Sequence, residues 1–262
     1  MSTQRCVRIG MIQAVPKKWE VDENWAMFET LVRRHAGDQV DLFLAPECFL
    51  DGYAASEVDW TVERFAEVAQ NLNDSPYIDR LKRLAAETRA HIVFGFTERV
   101  DDRFYNCAVL VGRDGHIQGT YYKTHLRDHD KRFAPGIDLP VFHLDCGVIG
   151  VVICADRVWP ETIRVLRVKG ADIALVPAYG GWGLDNEWRM RVRAHENGMF
   201  VCFDHPHVAL IANPRGDVAA KLQSNVPGLL IYDMDLSEVT TAYLQDRRPD
   251  LYGILGDPSV RL

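Results

Sequence analysis

The sequence predicts an α/β protein whose mixed sheets carry helices on their outer sides, two such sheets facing each other in one four-layer domain. Three observations lead there. Apolar strand-like runs alternate with amphipathic helix-length stretches and are then closed by hairpins, the pattern of mixed sheets with helices outside. The first and second halves of the chain repeat that order. No Pro-, Gly- or Ser-rich linker divides the 262 residues, a length that suits one large domain, 1–262, with a substantial core.

The elements follow in order. Residues 7–13 read as a strand. Asp22 is the expected cap of the next helix, with Trp25, Phe28, Leu31 and Val32 on one face and Gly37 as its stop. Residues 40–45 form a second apolar strand, stopped by Pro46, and 47–56 a loop. A polar helical pattern covers 58–70, and Ser75-Pro76 opens a helix striped by Ile78, Leu81, Leu84 and Ala85. The period then changes to three short strands, 91–98, 104–111 and 116–122, with Arg113-Asp114-Gly115 as the turn between the last two. A polar loop spans 123–139. The run 148–153 alternates too little for a half-exposed strand and belongs inside a sheet. A short turn from Cys154 leads to a helix over 161–169, opened by Pro160, whose missing N–H is not needed there, and stopped by Gly170. Then come a strand at 173–176, a helix at 186–197 rich in Arg and Glu, and strands at 199–203, 208–212, 218–222 and 229–232, with a turn at 213–217.

Composition narrows the function classes. A net charge of −7 and the lack of a basic stripe argue against nucleic acid as a partner. No apolar run reaches membrane-spanning length, and the first residues lack the apolar core of a signal peptide, so the expectation is a cytoplasmic protein with no membrane partner. The cysteines at 6, 48, 107, 146, 154 and 202 are scattered, with no C-x-x-C pair, and are expected as free thiols.

Three short pieces carry chemistry together: Leu44-Ala45-Pro46-Glu47, Tyr121-Tyr122-Lys123-Thr124-His125-Leu126 and Ile153-Cys154-Ala155-Asp156. Singly each has a bland reading, since buried cysteine is usually inert and Glu and Lys are usually solvated. Together they place an acid, a lysine and a thiol at the ends of apolar strands, where α/β folds keep their sites. The backbone N–H groups of the turn after Cys154 also suit an anion. A carboxylate takes the thiol proton. An ammonium lowers the thiol pKa and stabilises an oxyanion. The acid then hands the proton to a leaving amine and later accepts one from water. That is acyl transfer from an amide through a thioester, with no metal and no cofactor.

These pieces, with Phe133-Ala134-Pro135-Gly136, Lys169-Gly170-Ala171-Asp172, Arg193-Ala194-His195-Glu196-Asn197 and Asn213-Pro214-Arg215-Gly216, stand in the order in which they occur in the nitrilase superfamily of carbon–nitrogen hydrolases, which the chain resembles over nearly its whole length. The resemblance implies an αββα sandwich that pairs through the helix after the cysteine into a homodimer or larger assembly. It implies a Glu47–Lys123–Cys154 triad and an oxyanion hole made by Lys123 and the Ala155 N–H. True nitrilases usually follow the cysteine with Trp-Glu; Ala155-Asp156 looks more like the amidase and carbamoylase branches. The segment 156–162 is similar to N-carbamoyl-amino-acid amidohydrolases, in which two arginines hold the substrate carboxylate. Arg157 matches the first, and Val158 stands at the second. A guanidinium suits a carboxylate through two parallel hydrogen bonds; the alternative is that Arg157 pairs with Asp156 or Glu161 inside the turn. A second acid usual before the Phe-x-Pro-Gly turn has Asp130 as its nearest counterpart, shorter and displaced, with His129 as the other candidate. Tyr53, Trp159, Tyr179 and Trp182 are candidate pocket residues, and Cys48 reads as packing. The implied partner is a small amide or carbamoyl substrate.

Two rival classes stand beside this one. His125 with His129, and His205 with His207, have spacings that metal hydrolases use, although no H-E-x-x-H is present. A non-catalytic scaffold on the same fold is the second, since fold does not fix function. A thiol redox role would need Cys146 to approach Cys154.

Overall fold

The computed structural model describes residues 5–257 and 259–260. Strand β1 (Cys6–Gln13) leads through helix α1 (Val21–Arg34) to β2 (Leu42–Leu44). Helices α2 (Val62–Val68) and α3 (Pro76–Thr88) precede the meander β3 (His91–Val100), β4 (Arg103–Val111) and β5 (Ile117–Tyr122). The second half runs β6 (Val141–Leu144), β7 (Gly147–Val151), α4 (Pro160–Val168), β8 (Ile173–Pro177), α5 (Leu184–Asn197), β9 (Phe200–His205), β10 (Val208–Ala212), β11 (Val218–Gln223), β12 (Gly228–Asp235) and α6 (Ala242–Gln245).

The strands form two mixed six-stranded sheets, ordered β12-β1-β2-β3-β4-β5 and β11-β10-β9-β8-β7-β6. In each, three neighbouring strands run parallel, β1-β2-β3 and β7-β8-β9, and the flanking pairs are antiparallel. The parallel strands are joined by helices, as a crossover requires. The expected four-layer αββα sandwich is therefore the observed fold.

Side chains alternate between two apolar layers. Leu42 and Leu44 join the cluster between the sheets, with Val7, Ile9, Met11, Ile149, Val151 and Leu175. Phe43, one residue out of phase, joins Trp25, Phe28, Leu31, Ile78, Leu81 and Phe94 beneath α1 and α3. Both faces of the central strands are thus buried, which is why their sequences read as continuous apolar runs. A smaller cluster of Cys48, Tyr53, Phe65, Phe104 and Phe133 packs the loops after β2 and β5. No helix among the described residues is long and apolar enough to cross a membrane.

Several sequence expectations need correction. Asp22 does not cap α1: Glu20 holds that position without a side-chain cap bond. Asp22 lies in the first turn, where a negative charge favours the helix dipole, and accepts from Tyr77 Oη at 2.7 Å. Gly37 sits in a separate single turn, Ala36–Asp38, beyond the end of α1 at Arg34. The helical pattern over 58–70 shortens to Val62–Val68, capped by the Thr61 hydroxyl. Strand β6 is an element the sequence pattern does not predict, and the loop 123–139 contains a single 3-10 turn, Asp128–Arg132. Cys146 and Cys154 lie beyond opposite ends of β7, roughly 20 Å apart for an extended strand of that length, so they cannot pair. All six cysteines are free thiols.

Candidate active site

The site forms where β2, β5 and β7 end. After β2 the chain turns sharply through Cys48, whose φ of 45° is left-handed. Gly95 of β3 makes room for this turn: a Cβ there would meet the Pro46 carbonyl oxygen at 2.5 Å and the Cys48 nitrogen at 2.8 Å. Glu47 is thereby driven into the interior, 1% exposed. Lys123, the first residue after β5, is equally buried. It is held by backbone bonds from its N–H to the Asn106 carbonyl (3.0 Å) and from the Gly136 N–H to its own carbonyl (2.9 Å). Cys154 opens the single 3-10 turn Cys154–Val158 at a φ of 45°, a conformation that costs a non-glycine residue about 1 kcal/mol or more.

Asp156 holds that turn. Its buried carboxylate accepts from the Ile153 N–H (2.9 Å) and from Tyr121 Oη (2.7 Å), Thr124 Oγ1 (3.0 Å) and the His125 N–H (2.8 Å). The Cys154 turn is thus tied to the lysine strand. His125 Nδ1 lies 2.8 Å from the same carboxylate and its ring stacks on Trp159 at 4.2 Å. Both His125 and Trp159 are therefore packed into this joint.

Lys123 Nζ donates to Glu47 Oε1 at 2.8 Å and to Asp130 Oδ2 at 2.7 Å. Asp130 is 3% exposed and also accepts from Tyr53 Oη. The turn Asp128–Arg132 carries Asp130 inward, so an acid that looks displaced in sequence reaches the lysine. Glu47 Oε1 takes a second bond, from Asn106 Nδ2 at 2.8 Å, while Glu47 Oε2 is buried with no hydrogen-bond partner among the described residues. Burial alone would lower the Lys123 pKa, but Glu47, Cys154 and Asp130 outweigh it and hold the ammonium charged. For Cys154 the balance goes the other way. Burial and Glu47 push its thiol up, and Lys123 and Arg157 only partly offset them.

Arg157 pairs with neither Asp156 nor Glu161. Its Nε and Nη2 donate to Asn186 Oδ1 at 2.9 and 2.6 Å, Nη2 also to the Gly181 carbonyl at 2.9 Å, and Nη1 to Cys154 Sγ at 3.3 Å. Tyr179 faces Tyr53 at 5.1 Å, with Lys18 Nζ 4.6 Å from the Tyr179 ring centroid. Trp182 is half exposed and lies 6.1 Å from both His205 and His207. Cys48 packs in the small loop cluster.

Of the imidazoles raised as metal ligands, His125 is held by Asp156, and His205 and His207 each use one ring nitrogen, His205 Nε2 being buried without a partner among the described residues. His205 Nδ1 accepts from the His207 N–H at 3.1 Å, and His207 Nδ1 lies 3.1 Å from Asn225 Oδ1. The His129 side chain lies outside the described residues. Asn106 and Asn186 were missed in sequence. A lone amide inside the apolar run 104–111 was a usable signal for Asn106; Asn186 had none.

The carbon-nitrogen hydrolase family model matches residues 8–243. A nitrilase of Pyrococcus abyssi is 36% identical across 92% of this chain and 94% of its own. The N-carbamoylputrescine amidase of Arabidopsis thaliana is 27% identical across 90% of this chain and 91% of its own. The solved amidase of Nesterenkonia sp. superposes with a TM-score of 0.81 at 22% identity, covering 97% of this chain and 98% of that one, a likeness of fold. The chain belongs to the carbon-nitrogen hydrolase family.

Proposed function

We propose that the protein hydrolyses a small amide or N-carbamoyl compound through a thioester on Cys154, releasing ammonia. The observation that carries this reading is the buried Glu47–Lys123–Asp130 cluster converging on the charge environment of the Cys154 thiol. Because burial keeps that sulfur protonated, its proton has to leave as the substrate is attacked, and the unpartnered Glu47 Oε2 is the acceptor. Sγ attacks the carbonyl carbon. Lys123 and the Ala155 N–H at the start of the turn take the developing oxyanion. Collapse breaks the C–N bond, and Glu47 returns the proton to the departing nitrogen. Water then attacks the thioester, gives its proton to Glu47, and frees the acid and the thiol. Asp130 holds Lys123 in place while Glu47 changes charge. An N-carbamoyl substrate follows the same course, its carbamic acid product decomposing to amine and carbon dioxide.

An amide rather than a nitrile is favoured by Ala155-Asp156, since Asp156 is spent on holding the turn. Ammonia release from a panel of simple amides, N-carbamoyl amines, N-carbamoyl amino acids and nitriles tests the reading. Turnover of an amide or carbamoyl member, lost in Cys154→Ala, is expected; turnover of nitriles alone, or turnover that survives in Cys154→Ala, contradicts it.

A further inference from the structure

Arg157 is 5% exposed, yet none of its hydrogen-bond partners among the described residues is a carboxylate. Its guanidinium lies over the Phe203 ring, 5.2 Å from the centroid. A guanidinium stays charged at any working pH, and a buried charge without a counter-ion is costly. Two anions would answer it during the reaction: a substrate carboxylate, or the thiolate that Cys154 becomes as its proton leaves. A carboxylate needs two adjacent free donors. The Nε–Nη2 edge is taken by Asn186 Oδ1, and Nη2 is also bonded to the Gly181 carbonyl. Nη1, the donor at the other edge, already points at Sγ from 3.3 Å.

We infer that Arg157 is the counter-ion of the Cys154 thiolate, held against the sulfur by Asn186, and not the receptor of a substrate carboxylate. The inference rests on Cys154 being the nucleophile proposed above. The groups facing this sulfur come from four places. Glu47 and Tyr53 come from the segment after β2, and Lys123 from the end of β5. The loop after β8 brings the Tyr179 backbone and the Gly180 carbonyl, and the nucleophile's own turn brings Arg157. On the β9 side, Phe203 lies against Arg157, and His205 feels its charge. Lys123 divides its charge between Glu47 and Asp130, so the uncompensated positive charge beside the sulfur belongs to Arg157. Burial and Glu47 raise the thiol, and Lys123 and then Arg157 act against them. Asn186 sits in the first turn of α5, anchored through Nδ2 to the Gly181 carbonyl at 2.6 Å. It is a positioning residue, acting on the sulfur only through Arg157.

The test is the rate at which iodoacetamide alkylates Cys154 as a function of pH, read by peptide mass, in the whole protein. A neutral probe forms its C–S bond with loss of iodide and needs no substrate recognition. Removing a cation beside a thiolate raises the thiol pKa, so the Arg157→Gln profile is expected to move up by about one unit, with alkylation about three- to fourfold slower at pH 7 once the greater nucleophilicity of the less acidic thiol is counted. Arg157→Lys should recover part of the shift. Asn186→Ala should move the same way by less, and it carries the test if Arg157→Gln does not fold. The variants should reach plateaus at high pH at least as high as that of the wild type. Unmoved midpoints would overturn the inference. So would rates that fall equally at every pH, because losing a counter-ion shifts the titration and leaves the fully formed thiolate at least as nucleophilic. A second readout is the KM of an anionic amide, expected to be unchanged in Arg157→Gln; a selective rise would restore the carboxylate role. If Cys154→Ala still hydrolyses amides, the proposed function fails while the alkylation profiles remain readable.

Discussion

The two halves of the chain repeat one scaffold, and comparing them shows where the proposed catalytic residues depart from it. Asp41 and Asp172 occupy matching places. Each donates its N–H to the preceding strand, at the Arg8 and Val148 carbonyls (2.8 Å each). Each also accepts from the following strand, from the His91 and Phe200 N–H groups at 2.8 and 3.1 Å. Ile9 pairs with Leu42 as Ile149 pairs with Ile173. Leu42 in turn pairs with His91 as Ile173 pairs with Phe200. Counting along these registers, the place of Glu47 is taken in the second half by Ala178, and that of Cys154 in the first half by Ala14. The meanders match Phe96 with His205 and Tyr122 with Gln223, so Ser224 stands where Lys123 does. One scaffold thus serves twice, with the acid and lysine taken from one copy and the thiol from the other. The facing of the two sheets is what brings them together.

The sharpest way to break this comparison is Glu47→Gln, which keeps the Oε1 contacts but removes the proposed base. Turnover is expected to fall by about 10²- to 10⁴-fold, and adding Ala178→Glu should restore none of it in steady-state assays. Recovery would show that the acid acts from a distance rather than from its register. Second in size is the core that positions Glu47. Phe28→Ala, beneath the outer face of the first sheet, should cost about 3–5 kcal/mol in urea unfolding. A loss under about 1 kcal/mol would mean that α1 contributes little to that sheet.

Third is the mismatch between Phe96 and His205. Burial pushes His205 down to about 4, so between its unfolded value of about 6.5 and 4 the folded state binds fewer protons than the unfolded chain. The stability tied to His205 is therefore fully present above about pH 6.5 and is lost as pH falls toward 4, by about 3 kcal/mol. His205→Phe, which makes the second copy like the first, should flatten that part of the melting-temperature profile; an unchanged slope contradicts the assignment. The smallest effect belongs to the ionic cluster at the opposite ends of the strands. There His91 Nε2 lies 2.8 Å from Asp145 and Arg113 bridges Asp145 and Asp41, in partly exposed surroundings. Arg113→Gln should cost no more than about 1 kcal/mol, against the several expected of a buried pair, and should leave turnover unchanged.

Much of this was legible in the sequence, and what was not has physical causes. The central strands betrayed themselves because both faces are buried. β6 did not, because Val141-Phe142-His143-Leu144 is a short edge strand, partly exposed along its length. α1 lacks the cap its sequence suggests because the chain enters it one residue before Asp22. Glu47, Lys123 and Cys154 were visible as polar residues closing apolar runs. Asp130 looked misplaced because sequence spacing does not show a 3-10 turn folding an acid back onto Lys123. Arg157 was read for its charge, but its partners come from a loop and helix start about 25 residues away, which no local pattern reveals.

The most direct test of the central claim is the intact mass of the protein, quenched in acid seconds after mixing with an amide that it turns over. The account predicts a mass increase equal to the acyl group in the wild type, mapped to the Cys154 peptide and absent from Cys154→Ala. Turnover in the wild type with an acyl group mapped to any other residue would contradict it.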